Sequence, residues 1–167
     1  MGTISRLVAT TTKEYNAMAK ASHHHESRVV SIAPQRMFDL VADVERYPEF
    51  LPLMREARIV HRAADGYETE QVLALGLLTY RFRTRTVLNP PHSIVVTSAD
   101  RGFRRFDIQW SFAPAPEGGC RIAFTLDCEI RSIWLKPLGD VWAAQMALTT
   151  VNAFVGRAYA LDNARPL

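Results

Sequence analysis

The chain is expected to fold as α+β, with a curved antiparallel sheet wrapped around a long C-terminal helix, and three observations point there. A first strand leads into two short helical segments, a β-rich stretch sorted with period two runs from about Pro52 to Ile130, and helical spacing returns from about Pro137 to Leu161. Strands grouped in one run and bounded by helices argue for α+β rather than for alternating α/β units. At 167 residues the chain suits one domain, large enough to bury about two thirds of its unfolded surface and keep interior volume for a ligand.

The expected organisation is a flexible leader over residues 1–26, a domain over 27–162 and a short tail over 163–167. The leader is rich in Thr, Ala and Ser and lacks the continuous apolar run of a secretory signal. Its scarcity of acidic residues leaves a short organellar presequence as the second reading. No apolar run approaches the roughly 20 residues that a membrane-spanning helix needs. The net charge of +3 is too modest to imply a nucleic-acid partner by itself.

From Ser27 to Ile32 the residues alternate as a first strand, with Val30 and Ile32 on one face. Pro34 suits the first turn of a helix, where its missing N–H costs nothing. Met37, Phe38, Leu40, Val41 and Val44 then make an apolar stripe. Tyr47-Pro48 and Leu51-Pro52 interrupt it, because a residue before proline avoids the helical region. Two short helices with a kinked junction are expected.

Breaks at Ala64-Asp65-Gly66, Asn89-Pro90-Pro91, Asp100-Arg101-Gly102 and Pro114 to Gly119 divide the β-rich stretch into a meander. Tyr80, Phe82, Thr84 and Thr86 alternate with Arg81, Arg83 and Arg85. Phe106, Ile108, Trp110 and Phe112 alternate with Asp107, Gln109 and Ser111, and Ile122 to Ile130 alternates in the same way. One face of each strand therefore packs inward and the other meets water. Cys120 and Cys128 on one extended strand stand about 26 Å apart, beyond disulfide reach, so free buried thiols and a reducing compartment are expected. In the last segment Leu138, Trp142, Met146 and Thr149 form one stripe, with Val141, Leu148, Val151 and Val155 beside it. Such a helix, about 40 Å long, crosses a whole sheet, and a twisted sheet gaping from it encloses a cavity.

Val41 to Pro52, VADVERYPEFLP, carries a resemblance together with Asn89-Pro90-Pro91, Gly102-Phe103, Trp110-Ser111-Phe112, Asn152-Ala153-Phe154 and Arg157-Ala158. In order and spacing these resemble the coenzyme Q-binding protein family, in the START-like, polyketide cyclase/dehydrase superfamily, with its ribosome-association-toxin branch. The resemblance spans roughly Glu26 to Leu161 and implies the helix-grip (START/Bet v 1-like) fold. Two features depart from the family pattern. Leu53-Met54 stands where members often have Trp-Cys, and Gly102 and Phe103 lack an intervening Pro.

The resemblance implies a non-enzymatic protein holding a polyprenyl quinone, or a related hydrophobic ligand, in an internal cavity. It would support respiratory quinone function or synthesis, require no other cofactor, and open through the loops around Tyr47 to Met54 and Gly102. The expected lining is Phe38, Phe50 and Leu51 from the short helices, then Tyr80, Phe82, Phe106, Ile108, Trp110, Phe124 and Leu126 from the sheet. Leu138, Trp142 and Met146 complete it from the long helix. Trp110, Trp142, Tyr80 or Thr84 would donate to ring carbonyls. Core filling is the first explanation for any one of these residues, and a cavity for the set.

Arg81, Arg83 and Arg85, with Arg101, Arg104 and Arg105 at a turn, form a basic surface. A solvated face partly neutralised by Glu68, Glu70, Asp107, Asp127 and Glu129 is the first expectation. Docking to anionic headgroups or ribosomal RNA is the second. Ribosome association that blocks subunit joining is thus the second functional reading. A polyketide aromatase/cyclase is the third, and needs polar residues deep in the cavity, which this chain is expected largely to lack.

No nucleophile, P-loop or metal-ligand motif is present. His23, His24 and His25 point alternately to opposite sides of an extended chain and do not converge on one ion. Asp127 and Glu129 share a solvent face, which suits surface charges better than an acid/base pair. A cytoplasmic location is expected, peripheral on the inner membrane under the quinone reading, and mitochondrial in a eukaryote. Nothing in the sequence sets the oligomeric state.

Overall fold

The computed structural model describes residues 22–164; residues 1–21 of the leader expected over 1–26, and residues 165–167 of the tail expected over 163–167, lie outside the described residues. Strand β1 (Ser22–Val30) is followed by helix α1 (Pro34–Ala42) and a 3₁₀ turn (Val44–Glu49). Six strands follow: β2 (Met54–Ala63), β3 (Gly66–Leu75), β4 (Leu78–Asn89), β5 (Ser93–Thr97), β6 (Phe103–Pro114) and β7 (Cys120–Ile130). Helix α2 (Lys136–Asn163) closes the order.

Pro34 opens α1, with Met37 N–H donating to the Ala33 carbonyl at 3.2 Å. The helix stops at Asp43, and Pro48 sits inside the tighter 3₁₀ turn that replaces a second α-helix, as a proline in this position requires. Leu53, at a left-handed φ of 66°, then turns the chain into β2.

The seven strands form one antiparallel sheet in the order β1-β7-β6-β5-β4-β3-β2. Every neighbour from β2 to β7 is also the next in sequence, so the meander runs across the sheet and β1 closes on β7 in register Val30↔Cys120. Helix α2 packs against β1, β3 and β7, while α1 packs on β5, β6, β7 and α2. The core lies between helix and sheet.

The alternation read from β4, β6 and β7 is observed: Phe82, Thr84 and Thr86 are buried, as are Phe106, Ile108, Trp110 and Phe112, and Ile122, Phe124, Leu126 and Cys128. Both cysteines are free and buried on β7.

Three details differ. First, β1 begins at Ser22 rather than Ser27, because His23 and His25 face outward beside Asp127 and Thr125 and extend the pairing with β7. Second, a turn at Gly76-Leu77 separates β3 from β4; with φ +60° at Gly76 it needs no Pro or Asn to mark it. Third, the buried line of α2 runs through Leu138, Trp142, Thr150, Val151, Phe154 and Ala158, leaving Val141 and Leu148 exposed. The helix is apolar around much of its circumference, so spacing alone does not select the buried face.

Candidate ligand cavity

A cleft between the concave face of the sheet and α2 is walled by Leu51, Met54, Ile94, Phe106, Ile108 and Trp110 on one side and Trp142, Met146 and Phe154 on the other. Its volume is only about 30 Å³. The space is therefore a set of narrow gaps between side chains, and Met54 and Met146 are the flexible groups able to yield.

One wall is polar. On β3 and β4 the inward positions are Tyr67, Thr69, Gln71, Thr84 and Thr86, paired in register as Tyr67↔Thr86 and Thr69↔Thr84. The Thr69 and Thr84 hydroxyls lie 2.6 Å apart, and Gln71 Nε2 donates to them at 3.0 and 3.2 Å. Those bonds orient the amide, and Gln71, Tyr67 and Thr86 reach the cavity surface, with Thr150 entering from α2. The expectation of few interior polar groups is thus corrected. In β3 these residues alternate with Glu68 and Glu70, so the strand shows no apolar rhythm that would mark its inner face.

Two phenols seal the end near α1. Tyr47 and Tyr67 each donate at 2.6 Å, to the Val41 and Ala42 carbonyls. Burial pushes the Tyr47 phenol well above its ordinary range and that of Tyr67 up to about 12, since low-dielectric surroundings disfavour the phenolate.

Of the expected lining, Leu51, Phe106, Ile108, Trp110, Trp142 and Met146 stand on this cavity. Tyr80 and Leu138 instead line a smaller cleft with Leu73, Gly102, Phe103, Ile130, Leu135 and Gly139, and Trp142 forms part of both. Phe38, Phe50, Phe82, Phe124 and Leu126 line neither. Phe38 packs edge-on against Phe112 at 5.9 Å, Phe124 against Trp110 at 4.6 Å, and Phe82 against Phe106 at 5.7 Å. Leu126 is fully buried, and Phe50 lies over Phe154 at 5.1 Å with the Arg157 guanidinium 5.7 Å from its ring. They point inward as their strand or helix parity requires, but neighbours fill the space before a ligand reaches them. Thr84 is likewise occupied by Thr69 rather than turned to the cavity.

On the outer face, Arg81, Arg83 and Arg85 meet acidic partners. Glu70 accepts from Arg58 at 2.6 Å and from Arg81, with Arg83 Nε at 3.8 Å, and Asp65 accepts from Arg85. Arg58, followed by Arg81, holds the Glu70 carboxyl below its ordinary range. Arg104 lies 3.6 Å from Glu129, and Asp127 is taken by His23 at 2.6 Å. Glu70 and Glu129 thus pair as expected, whereas Asp65 was not anticipated. No group of three or more potential metal ligands occurs among the described residues.

The comparisons accord with this geometry. The Pseudomonas aeruginosa ribosome association toxin RatA is 32% identical over 138 residues, covering 83% of this chain and 96% of its own. The mitochondrial coenzyme Q-binding protein coq10 of Schizosaccharomyces pombe is 26% identical over 140 residues, covering 81% and 85% respectively. Among solved structures, the Zhui aromatase/cyclase from a Streptomyces species superposes with a TM-score of 0.74 at 13% identity, over 86% of this chain and 97% of that one. At such identity it shows the fold alone, which is the START/Bet v 1-like helix-grip architecture. Residues 30–155 match the family described as polyketide cyclase/dehydrase and lipid transport, and with a long helix gripped by a seven-stranded sheet over most of its length the chain belongs to that family.

Proposed function

We propose that the protein binds, without catalysis, a hydrophobic molecule with a polar head, and that a polyprenyl quinone is the ligand that fits best. The carrying observation is the polar wall of Tyr67, Gln71, Thr86 and Thr150 set into an otherwise apolar cavity. A quinone ring needs a few donors at fixed positions, while its tail needs only apolar wall; Tyr67, Gln71 and Thr150 would exchange their present bonds to Ala42, to Thr69 and Thr84, and to Met146 for bonds to the ring. Each tail CH₂ removed from water contributes about 0.8 kcal/mol, so affinity is easily reached and release is the harder step. The cavity volume of about 30 Å³ is far below that of an occupied small-molecule site, so a ligand enters only as Met54, Met146 and their neighbours move aside. The similarity to coq10, a coenzyme Q-binding protein, supports the reading. The reading implies a chain that works at the surface of the membrane that holds the quinone.

The test is organic extraction of the purified protein, followed by mass spectrometry and the ultraviolet difference spectrum on reduction. A stoichiometric polyprenyl quinone is expected. An empty protein, or one carrying a random lipid mixture, sinks the reading.

Ribosome association is the second reading, favoured by the 32% identity to RatA. It predicts salt-sensitive ribosome binding that collapses when Arg81, Arg83 and Arg85 are changed to Glu. Substitutions inside the cavity would leave that binding intact.

A further inference from the structure

We propose that one end of the domain is a docking face for an anionic phospholipid bilayer, with Leu77, Ile133 and Trp134 as its inserted residues. The β3–β4 turn exposes Leu77 completely, at 104% of its reference area, and the segment after β7 exposes Ile133 at 77% and Trp134 at 85%. These two projections lie at the same end. An ideal Cβ on Gly102 would fall 2.2 Å from the Tyr80 hydroxyl and 3.2 Å from Leu135 Cδ1, so the start of β4 and the segment before α2 meet over that glycine. Leu77 stands three residues before Tyr80 and Trp134 one residue before Leu135.

The charge around this end complements an acidic surface. Arg101 and Arg131 are exposed beside Gly102, whose carbonyl accepts the Arg131 N–H at 2.7 Å, and Lys136 begins α2. Among the described residues no carboxylate lies within ion-pair reach of those three. Of the acidic groups nearby, Asp100 is engaged by Tyr80 and by the Gly102 N–H at 2.9 Å, while Asp140 is exposed one turn into α2. Exposed Trp and aliphatic side chains ringed by Arg and Lys describe a membrane-interface site; a nucleic-acid surface gains nothing from Leu77 and Ile133. No described helix is long and apolar enough to cross a bilayer.

The small cleft lined by Tyr80, Gly102, Leu135 and Leu138 lies behind this face and shares Trp142 with the main cavity. A ligand leaving the cavity past Trp142 would emerge at the bilayer rather than in water. This part of the inference rests on the ligand-binding reading, whereas the docking face itself does not.

The experiment is flotation of the full chain with phosphatidylcholine vesicles, with and without phosphatidylglycerol, read together with tryptophan emission. Trp110 and Trp142 are buried, so a blue shift on binding reports Trp134. Flotation with phosphatidylglycerol and a blue shift are expected. Leu77→Ser combined with Trp134→Ser should lower partitioning at least about tenfold. Arg101→Glu or Arg131→Glu should lower it by about fivefold or more per residue, and only on the anionic vesicles. Leu148→Ser, an equally exposed site elsewhere on α2, should change nothing. A wild-type chain that stays unbound, double variants that float as well as wild type, or a patch whose loss abolishes only self-association would each overturn the proposal. Extraction of ligand from the Leu77/Trp134 variant separates the two ideas. Quinone retained without vesicle binding supports the docking face and leaves the cavity reading standing; vesicle binding by a wild type empty of quinone supports the docking face and overturns the cavity reading alone.

Discussion

Trp142 stacks on Phe106, with ring centroids 5.5 Å apart and planes 19° from parallel. This contact joins α2 to the middle of the sheet, and the indole forms part of the wall of both cavities. The same ring therefore serves stability and partition.

Trp142→Ala should destabilise the fold by about 3–5 kcal/mol, the usual cost of removing a buried aromatic ring when its surroundings relax only partly. Urea unfolding followed by circular dichroism measures it. A loss below about 1 kcal/mol would mean that the sheet and helix close over the gap, and that the indole does not hold them apart.

Gln71→Leu should separate ligand recognition from stability. Thr69 and Thr84 keep their mutual bond at 2.6 Å, so the folding cost should stay within about 1.5 kcal/mol. A short-tailed quinone, titrated by quenching of tryptophan fluorescence, should bind up to about tenfold more weakly, while a hydrocarbon of the same length binds unchanged. Equal losses for both would remove the glutamine from headgroup recognition.

Gly102→Ala should displace the Tyr80 ring, because the new methyl would sit 2.2 Å from its hydroxyl and 2.8 Å from Cζ. The hydrogen bond from Tyr80 to Asp100 is then lost. A cost of about 1–3 kcal/mol is expected, and Tyr80→Ala in the same chain should recover part of it. Additive losses in that double-mutant cycle would place the strain elsewhere.

Burial pushes the Cys128 thiol up to about 12, with Asp140 adding to the effect, and Cys120 is raised by burial as well. Both should remain protonated thiols at pH 8, since the reactive thiolate forms only near the folded value. Ellman's reagent should find neither cysteine in the native protein over minutes and both in denaturant. Rapid native labelling of either would show that β7 opens.

The Glu70 carboxyl, lowered by Arg58 and Arg81, should contribute to the acid limb of stability. A group whose folded value is depressed gives its full contribution above the unfolded value and loses it as pH falls through the folded one. Glu70→Gln should flatten the loss of urea resistance below about pH 4.3. An unchanged acid limb would leave the three-arginine cluster without energetic weight.

Much of this architecture was legible from residue order. Period two in β4, β6 and β7 identified the inner face correctly because β6 and β7 place mostly aromatic or aliphatic residues inside, and β4 sets Phe82, Thr84 and Thr86 against the outward Arg81, Arg83 and Arg85. Pro34 and Pro48 marked the short helices because proline acts locally, through its own φ and missing N–H. The cavity was less legible. Phe124 and Leu126 have the right parity to line it, yet Trp110 packs against Phe124 first, and Gln71 follows Glu68, Thr69 and Glu70, a polar run with no apolar alternation to mark which face turns inward.

The sequence by itself determined the order of helical and β-rich stretches, the antiparallel meander except its turn at Gly76-Leu77, the spanning helix and the two free thiols, since each follows from local periodicity, backbone restriction or distance along a strand. Tertiary structure alone decided which inward side chains border empty space, that α2 turns Val141 and Leu148 to solvent, and that Glu70 gathers three arginines. It also brought Leu77 and Trp134 to one end. Those outcomes depend on how a twisted sheet closes on a helix, where residues far apart in the chain compete for the same volume, and a one-dimensional pattern does not carry that competition.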